Sequence, residues 1–407
     1  MTMLSNHEDY VRLCLSHIRK LTIDIGARGS TTAGERQGAA YCQDVLQQLG
    51  YTPRVEPFSS PKSIYLPIVF TGGLMIAAFA IYPLAQPVTA WISLGLLLVA
   101  FVCQNLELAF RDNPYRWFMP TGQSQNVVAS LPSHGDHRQD LVVIGHIDTH
   151  RTPIIFSTDL WVDGFRLYAT TAFIVASAQI VLYLIGALSG LGWIWPVTGL
   201  GAAFGAGLIA IGVQADLSPY TAGANDNATA VATVLALARY LQEHPLQYTR
   251  VWFACTGCEE VKHYGAANFF RRHKAELVNP KALVFEMLGC DEPGYLLREG
   301  MRPASFAADP RMAGLAAQVA EAHPEFRAHP TRVDLGYTEM ADALIAGVPA
   351  ITVIGIGGAS IPVGYKGRPL YWHRVGDTLD KIDPEVLGHA WGYICEFINA
   401  VDNEVKH

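Results

Sequence analysis

Five stretches of this chain place histidine or carboxylate side chains just past an apolar run or at the start of a helical pattern. They are GHIDTH (145–150), GANDNATAVA (223–232), TGCEEVKHYG (256–265), VFEMLGCD (284–291) and YWHRVGDTLDKID (371–383). Singly, each is commonplace. His-x-Asp occurs in surface turns, and Asn-Asp-Asn is a good helix cap. Paired glutamates often sit at solvated corners. Several of these features resist the bland reading. Glu259 and Glu260 close an apolar run, where adjacent carboxylates repel unless a cation or a proton intervenes. Glu286 lies inside an apolar strand pattern, where a lone carboxylate is costly to bury. Small residues around Asp226 leave room for a bulky group. His146 is read as a metal ligand whose ring Asp148 fixes. Taken together, His146, Asp226, Glu259, Glu260, Glu286 and His373 supply two imidazoles, three carboxylate ligands and one spare carboxylate. That set suits two Zn2+ ions bridged by a carboxylate, which can acidify a water and polarise a carbonyl.

Open α/β sheets build sites where strands end, so the elements around these stretches matter. GERQGAAYCQDVLQQL (34–49) and residues 227–242 have helical periodicity. TPRVEPF, NVVASLP (126–132), LVVIGHID (141–148), RVWFACTG, KALVFEMLG and PAITVIGIGG read as strands. PEVLGHAWGYICEFINAV is a final helix, with Asp383 as N-cap and Pro384 at its first position. Strands alternating with helices predict an α/β sandwich with a mixed, largely parallel central sheet. The short link before LVVIGHID predicts an antiparallel meander of TPRVEPF, NVVASLP and that strand.

The composition adds a second theme. Of 407 residues with net charge −7, 50% are hydrophobic and 16% charged. Soluble domains carry about 25% charged residues. No charge falls within 63–106 (44 residues) or 167–215 (49 residues). One crossing takes about 20 residues, so each tract predicts a transmembrane hairpin, with turns at YPLAQP (82–87) and LSGLGWIWP (188–196). Lys62, Arg111, Arg116, Arg151 and Arg166 flank the tracts, and neither turn holds Lys or Arg. The positive-inside rule then places the remainder in the cytoplasm, as an integral membrane protein of the bacterial inner-membrane type. The expected organisation is a catalytic domain in three parts (1–62, 107–166 and 216–407) interrupted by hairpins at 63–106 and 167–215. The polar N-terminus lacks the apolar core of a secretory signal. Seven scattered cysteines fit reduced thiols better than a disulfide framework. Cys255 and Cys258 form a CxxC with no second pair, too little for a zinc or redox site. No basic run points to nucleic acid.

In the order and spacing of its segments the chain resembles metallopeptidase family 28. These co-catalytic zinc peptidases include the bacterial leucyl aminopeptidases and aminopeptidase Y. The resemblance runs from HIRKLTIDIGARGSTTAGERQGAAYCQDVLQQLGY through GHIDTH, GANDNATA, CEEVKHYG, VFEMLG and AGVPAITVIG to HRVGDTLDKID. It implies the following roles. His146 is the first ligand of one zinc and Asp226 the bridge. Glu259 is the general base, with Glu260 a zinc ligand beside it. Glu286 and His373 complete the ligand set, and Asp148 orients His146. Three departures stand out: Glu286 falls where the family has Asp, Lys262-His263 replace Gly-Leu, and Thr338-Glu339 replace Ser-Asp. The expectation is an aminopeptidase acting on peptides at the bilayer surface, with both hairpins leaving beside its mouth. A glutaminyl cyclase-like single-zinc enzyme and a non-catalytic membrane scaffold are the alternatives.

Overall fold

The computed structural model describes residues 7–301, 303–334, 336–357 and 368–406. Helices α1 (His7–Arg19) and α2 (Ala33–Gln48) lead into strand β1 (Arg54–Pro61). Helices α3 (Leu66–Ile81) and α4 (Val88–Leu108) separate it from β2 (Thr121–Leu131) and β3 (Gln139–His146). After α5 (Asp159–Ser189) and α6 (Ile194–Leu217) the chain alternates: α7 (Thr229–Glu243), β4 (Thr249–Thr256), α8 (Tyr264–His273) and β5 (Lys281–Glu286). It then runs through β6 (Pro293–Met301), β7 (Ala304–Ala307), α9 (Pro310–Ala322) and β8 (His329–Val333). The last elements are α10 (Met340–Ile345), β9 (Ala350–Gly355) and α11 (Pro384–Glu404). Asp383 caps α11 by accepting from the Glu385 amide at 2.8 Å, and Pro384 follows it. Gly358, the end of the strand expected over PAITVIGIGG, lies outside the described residues.

The nine strands among the described residues form one mixed sheet in the order β1-β2-β4-β3-β5-β9-β6-β7, with β8 beside β6. Its centre, β4-β3-β5-β9, is parallel. Every residue of β3, β5 and β9 is buried, so both faces of the centre are covered. Helix α7 packs on β3, β4 and β5 and is backed by α1, while α10 packs on β5 and β9.

The predicted meander is not formed. β2 pairs antiparallel with β4, and β4 lies between β2 and β3. The 132–138 link is long enough to step over one strand. It bonds to the entry of β4 through His134 N to Leu246 O (2.7 Å) and Gly135 N to Gln247 O (2.9 Å). The doubly buried β4 thereby gains a partner on each edge.

The uncharged tracts form two helical hairpins that turn at 82–87 and 190–193. The four helices share a core of Met75, Tyr82, Leu97, Ala176, Tyr183 and Leu208, among others. α3 and α6 cross closely: a Cβ on Gly72 would stand 2.4 Å from Gly205 O, so small residues set this contact. The outer positions of the hairpins are apolar, with Leu84, Leu167 and Leu188 about 70% exposed (73%, 69% and 72%). α4, α5 and α6 are long and apolar enough to cross a membrane, by length and composition. α3 has 16 residues. At 1.5 Å per residue it spans about 24 Å, short of an apolar layer about 30 Å thick. α5 starts eight residues before the uncharged tract, carrying Asp159, Asp163 and Arg166 into its first turns.

One buried carboxyl away from the sheet's polar edge sets a pH test. Glu299 on β6 is 1% exposed and accepts from Thr338 N (2.9 Å) and Oγ1 (2.8 Å). Burial pushes its pKa from 4.5 up to about 8. The fold therefore keeps a proton that the unfolded chain releases. Its contribution is full below pH 4.5 and is lost as pH rises towards about 8. Glu299→Gln should melt higher than the parent at pH 8, and the gap should close towards pH 4.5. Thermal melts across that range check this; a gap independent of pH would contradict it.

Candidate metal centre

All six predicted ligand and base residues converge at the carboxyl ends of the parallel strands. His146 ends β3 and Glu286 ends β5. Glu259 and Glu260 lie in the turn after β4, and Asp226 lies in the turn entering α7. Gly145 lets α7 come close, since a Cβ there would stand 2.9 Å from the Ala230 carbonyl carbon. His373 comes from the loop before α11, its ring stacked on His150 with centroids 3.5 Å apart.

Asp226 is the centre of the arrangement. Its Oδ1 lies 3.4 Å from His146 Nε2, and its Oδ2 lies 3.4 Å from His373 Nε2. On the first side Glu286 Oε1 is 3.5 Å from His146 Nε2. On the second side Glu260 Oε2 is 3.4 Å from His373 Nε2. Ligand atoms of His146, Asp226 and Glu286 lie within 4.8 Å of one another, as do those of His150, Glu260 and His373.

The neighbours of Asp226 fix it. Its own amide and that of Asn225 donate to Asp377 at 3.0 and 2.7 Å. Asn225 Oδ1 accepts from Gly289 N (2.9 Å), and Asn227 Oδ1 accepts from Met287 N (3.1 Å). The two asparagines thus lash the turn to the end of β5 rather than capping a helix. Asp148 also differs in detail from the expected ring-fixing role. His146 Nδ1 bonds its main-chain carbonyl at 3.0 Å, while its carboxylate is 3.6 Å from that nitrogen. The carboxylate accepts from the amides of Glu259 (3.0 Å) and Glu260 (3.1 Å) and from Ser30 Oγ (2.6 Å). It holds the paired glutamates in place.

The donor set fits metal. Asp226 Oδ2, Glu260 Oε1, Glu286 Oε2 and His373 Nδ1 are buried without a hydrogen-bond partner among the described residues. Burial, reinforced by Asp226 and Glu259, pushes the Glu260 carboxyl far above its ordinary value. Burial raises Glu286 to about 8. A buried cluster of like charges with unsatisfied oxygens is what divalent cations relieve. Imidazole and carboxylate donors together suit zinc.

Sequence reasoning missed several supporting residues. Arg28 is fully buried and donates to Ile147 O (2.8 Å) and Gly223 O (2.9 Å), tying the Asp148 and Asp226 turns together. Glu35 holds the Cys258 amide (2.9 Å), and burial raises it to about 8. His150 donates from Nδ1 to Arg151 O, so its Nε2 faces the Tyr65 hydroxyl (3.1 Å) and Glu260 Oε2 (3.9 Å). Only His150 had a local signal, as the last polar residue of GHIDTH. Cys255 and Cys258 are buried free thiols.

The feet of all four apolar helices surround this centre. Tyr65 precedes α3 and meets His150. Phe110, after α4, packs on His263 with centroids 4.6 Å apart. Phe156, before α5, packs on His373 at 4.7 Å, and Arg374 joins its carbonyl (2.9 Å) and Asp159. Asp216 in the last turn of α6 and Tyr220 just beyond that helix line a cleft with Lys62, Tyr65, His150 and Glu260.

Residues 206–398 match the sequence profile of peptidase family M28. The chain carries a peptidase family M28 domain. Four of the five candidate ligands and Glu259 fall inside this M28 match, and His146 precedes it. A curated relative is the probable lipoprotein aminopeptidase LpqL of Mycobacterium tuberculosis, 27% identical over 203 residues. That match takes in 45% of this chain and only 40% of the relative's length. Among solved structures, the zinc aminopeptidase BSAP from Bacillus subtilis superposes with TM-score 0.53 at 13% identity, covering 95% of this chain and 94% of that one. The aminopeptidase from Aneurinibacillus sp. strain AM-1 gives 0.55 at 13% identity, covering 97% and 95%. Fimbriiglobus ruber glutaminyl cyclase gives 0.56 at 16%, covering 96% and 95%. At these identities the structural likeness is one of fold: an M28-type mixed sheet with its helices.

Proposed function

We propose that this M28 protein is a membrane-integrated di-zinc aminopeptidase that removes N-terminal residues from peptides at the bilayer surface. The observation that carries the reading is Asp226, whose two oxygens each face a separate histidine with its own carboxylate partner. His146 and Glu286 would hold one ion, Glu260 and His373 the other, and Asp226 both. Zinc bound there would supply Lewis acidity towards the scissile carbonyl and a water. Glu259 takes the proton of the attacking water through Oε2, which lies 3.7 Å from His146 Nε2 at the heart of the site. It then returns that proton to the amine leaving from the broken C–N bond. Asp148 keeps Glu259 and Glu260 apart in function by fixing both their amides.

The hairpins at 63–106 and 167–215 would cross the membrane between the three catalytic segments 1–62, 107–166 and 216–407. Three apolar helices of sufficient length support this, as do the helix feet around the site. Arginines and Lys62 near those feet, with none in the hairpin tips, support a cytoplasmic catalytic side.

The test is mass spectrometry of a mixed peptide pool incubated with the detergent-purified chain, with and without a chelator. Chelator-sensitive loss of single N-terminal residues is expected. Loss of ammonia from N-terminal Gln peptides would instead mark a cyclase. An unchanged pool with metal bound would favour a scaffold.

A further inference from the structure

Besides His150, a second histidine at the site stands outside both proposed ligand sets. His263 is buried (5% exposed) where the turn after β4 enters α8. Its Nε2 lies 2.9 Å from Glu259 Oε1, and its Nδ1 lies 2.8 Å from Asp342 Oδ2 on α10. Its amide donates to the Glu259 carbonyl at 2.7 Å, so backbone and ring both engage the same residue. Phe110 covers the ring. A histidine held at both nitrogens cannot turn, and an imidazole so held orients the group it touches. One Glu259 oxygen is therefore tied back, and only Oε2 is left facing His146 and the metal set.

From this geometry we propose that His263, anchored by Asp342, is a positioning residue that presents the Glu259 carboxylate to the reaction with one oxygen free. A glutamate side chain has three rotatable torsions, and proton transfer needs an acceptor within hydrogen-bond reach in a fixed direction. The tether removes the rotamers that point Glu259 away. The proposal rests on the reading of Glu259 as the general base.

The experiment measures kcat, KM and bound zinc for the full-length detergent-purified chain on a peptide it cleaves. His263→Leu should lower kcat by about 10–100-fold with KM and zinc content unchanged. His263→Gln, whose amide can still reach Glu259, should recover part of the loss. Asp342→Asn should cause a smaller fall of the same kind. In a Glu259→Gln background, His263→Leu should cost nothing further, because its effect passes through that carboxylate. A wild-type kcat in His263→Leu would overturn the proposal. So would an equal loss in both backgrounds, or a loss that follows melting temperature with no rescue by Gln. If His263→Leu fails to fold, the Gln and Asp342→Asn variants carry the same cycle. Full activity in Glu259→Gln alone would instead overturn the reading beneath it, and is read separately.

Discussion

Asp226→Asn is expected to leave the chain folded but almost free of zinc and inactive. Asp226 Oδ2 has no hydrogen-bond partner among the described residues; the turn is held by the Asp226 amide, by Asp377 and by the two asparagines. What the substitution removes is a negative charge shared between His146 on one side and His373 on the other. Each side keeps one imidazole and one carboxylate, too few for a stable zinc site. Metal content should fall from about two equivalents to about none, and peptide hydrolysis to the level of the chelated parent. His373→Ala, which strips one side only, should retain about one equivalent. The metal-free proteins offer an independent readout with the opposite sign. In chelator, Asp226→Asn should melt higher than the parent, since it relieves repulsion with Glu260 and Glu286. Elemental analysis and thermal melts, each with and without chelator, check both arms. Full zinc in the variant would remove the bridging role.

What the sequence reveals and what it hides divide along physical lines. The residues that cluster at the site were legible because their signal is local: a polar residue at the end of an apolar strand or in a small-residue turn can be read within ten residues. The hairpins were legible for the same reason, as unbroken absence of charge. Pairings at long range carry no such signature. β4 enters between β2 and β3 from more than a hundred residues away. His263 finds Asp342, and Tyr65 finds His150, across 79 and 85 residues. The first turns of α5 carry charges and so fall outside the uncharged tract that marks the hairpin. In the structure those charges pair outside the helix, Asp159 with Arg374 and Asp163 with Arg368. Asp148 shows a subtler limit. Its proximity to His146 was readable, but its carboxylate serves amides 111 and 112 residues further on, and only its carbonyl reaches the ring. Lys262 is a parallel case: it reaches the Arg111 carbonyl (2.5 Å), joining the Glu259 turn to the foot of α4.

Glu259→Gln should separate chemistry from metal binding. Glu259 and Glu260 are adjacent, and their amides bond the two oxygens of one carboxylate, Asp148. Their side chains then diverge. Glu260 turns to His373 at 3.4 Å, while Glu259 places one oxygen on His263 and the other 3.7 Å from His146. An amide at 259 keeps the size and can still bond His263, but it cannot accept a proton from water. A positioned general base contributes about 10²–10⁴-fold, so kcat should drop by about 10³-fold with zinc content and KM close to the parent. Glu260→Gln, one residue on, should lose zinc from the His373 side first and recover turnover when zinc is raised. Glu259→Gln should show no such rescue at any zinc concentration, because its defect is the missing proton acceptor. Turnover measured against added zinc for the two variants decides the assignment. Rescue of Glu259→Gln by zinc would make residue 259 a ligand, and unchanged turnover without rescue would leave the attacking water's proton to another group.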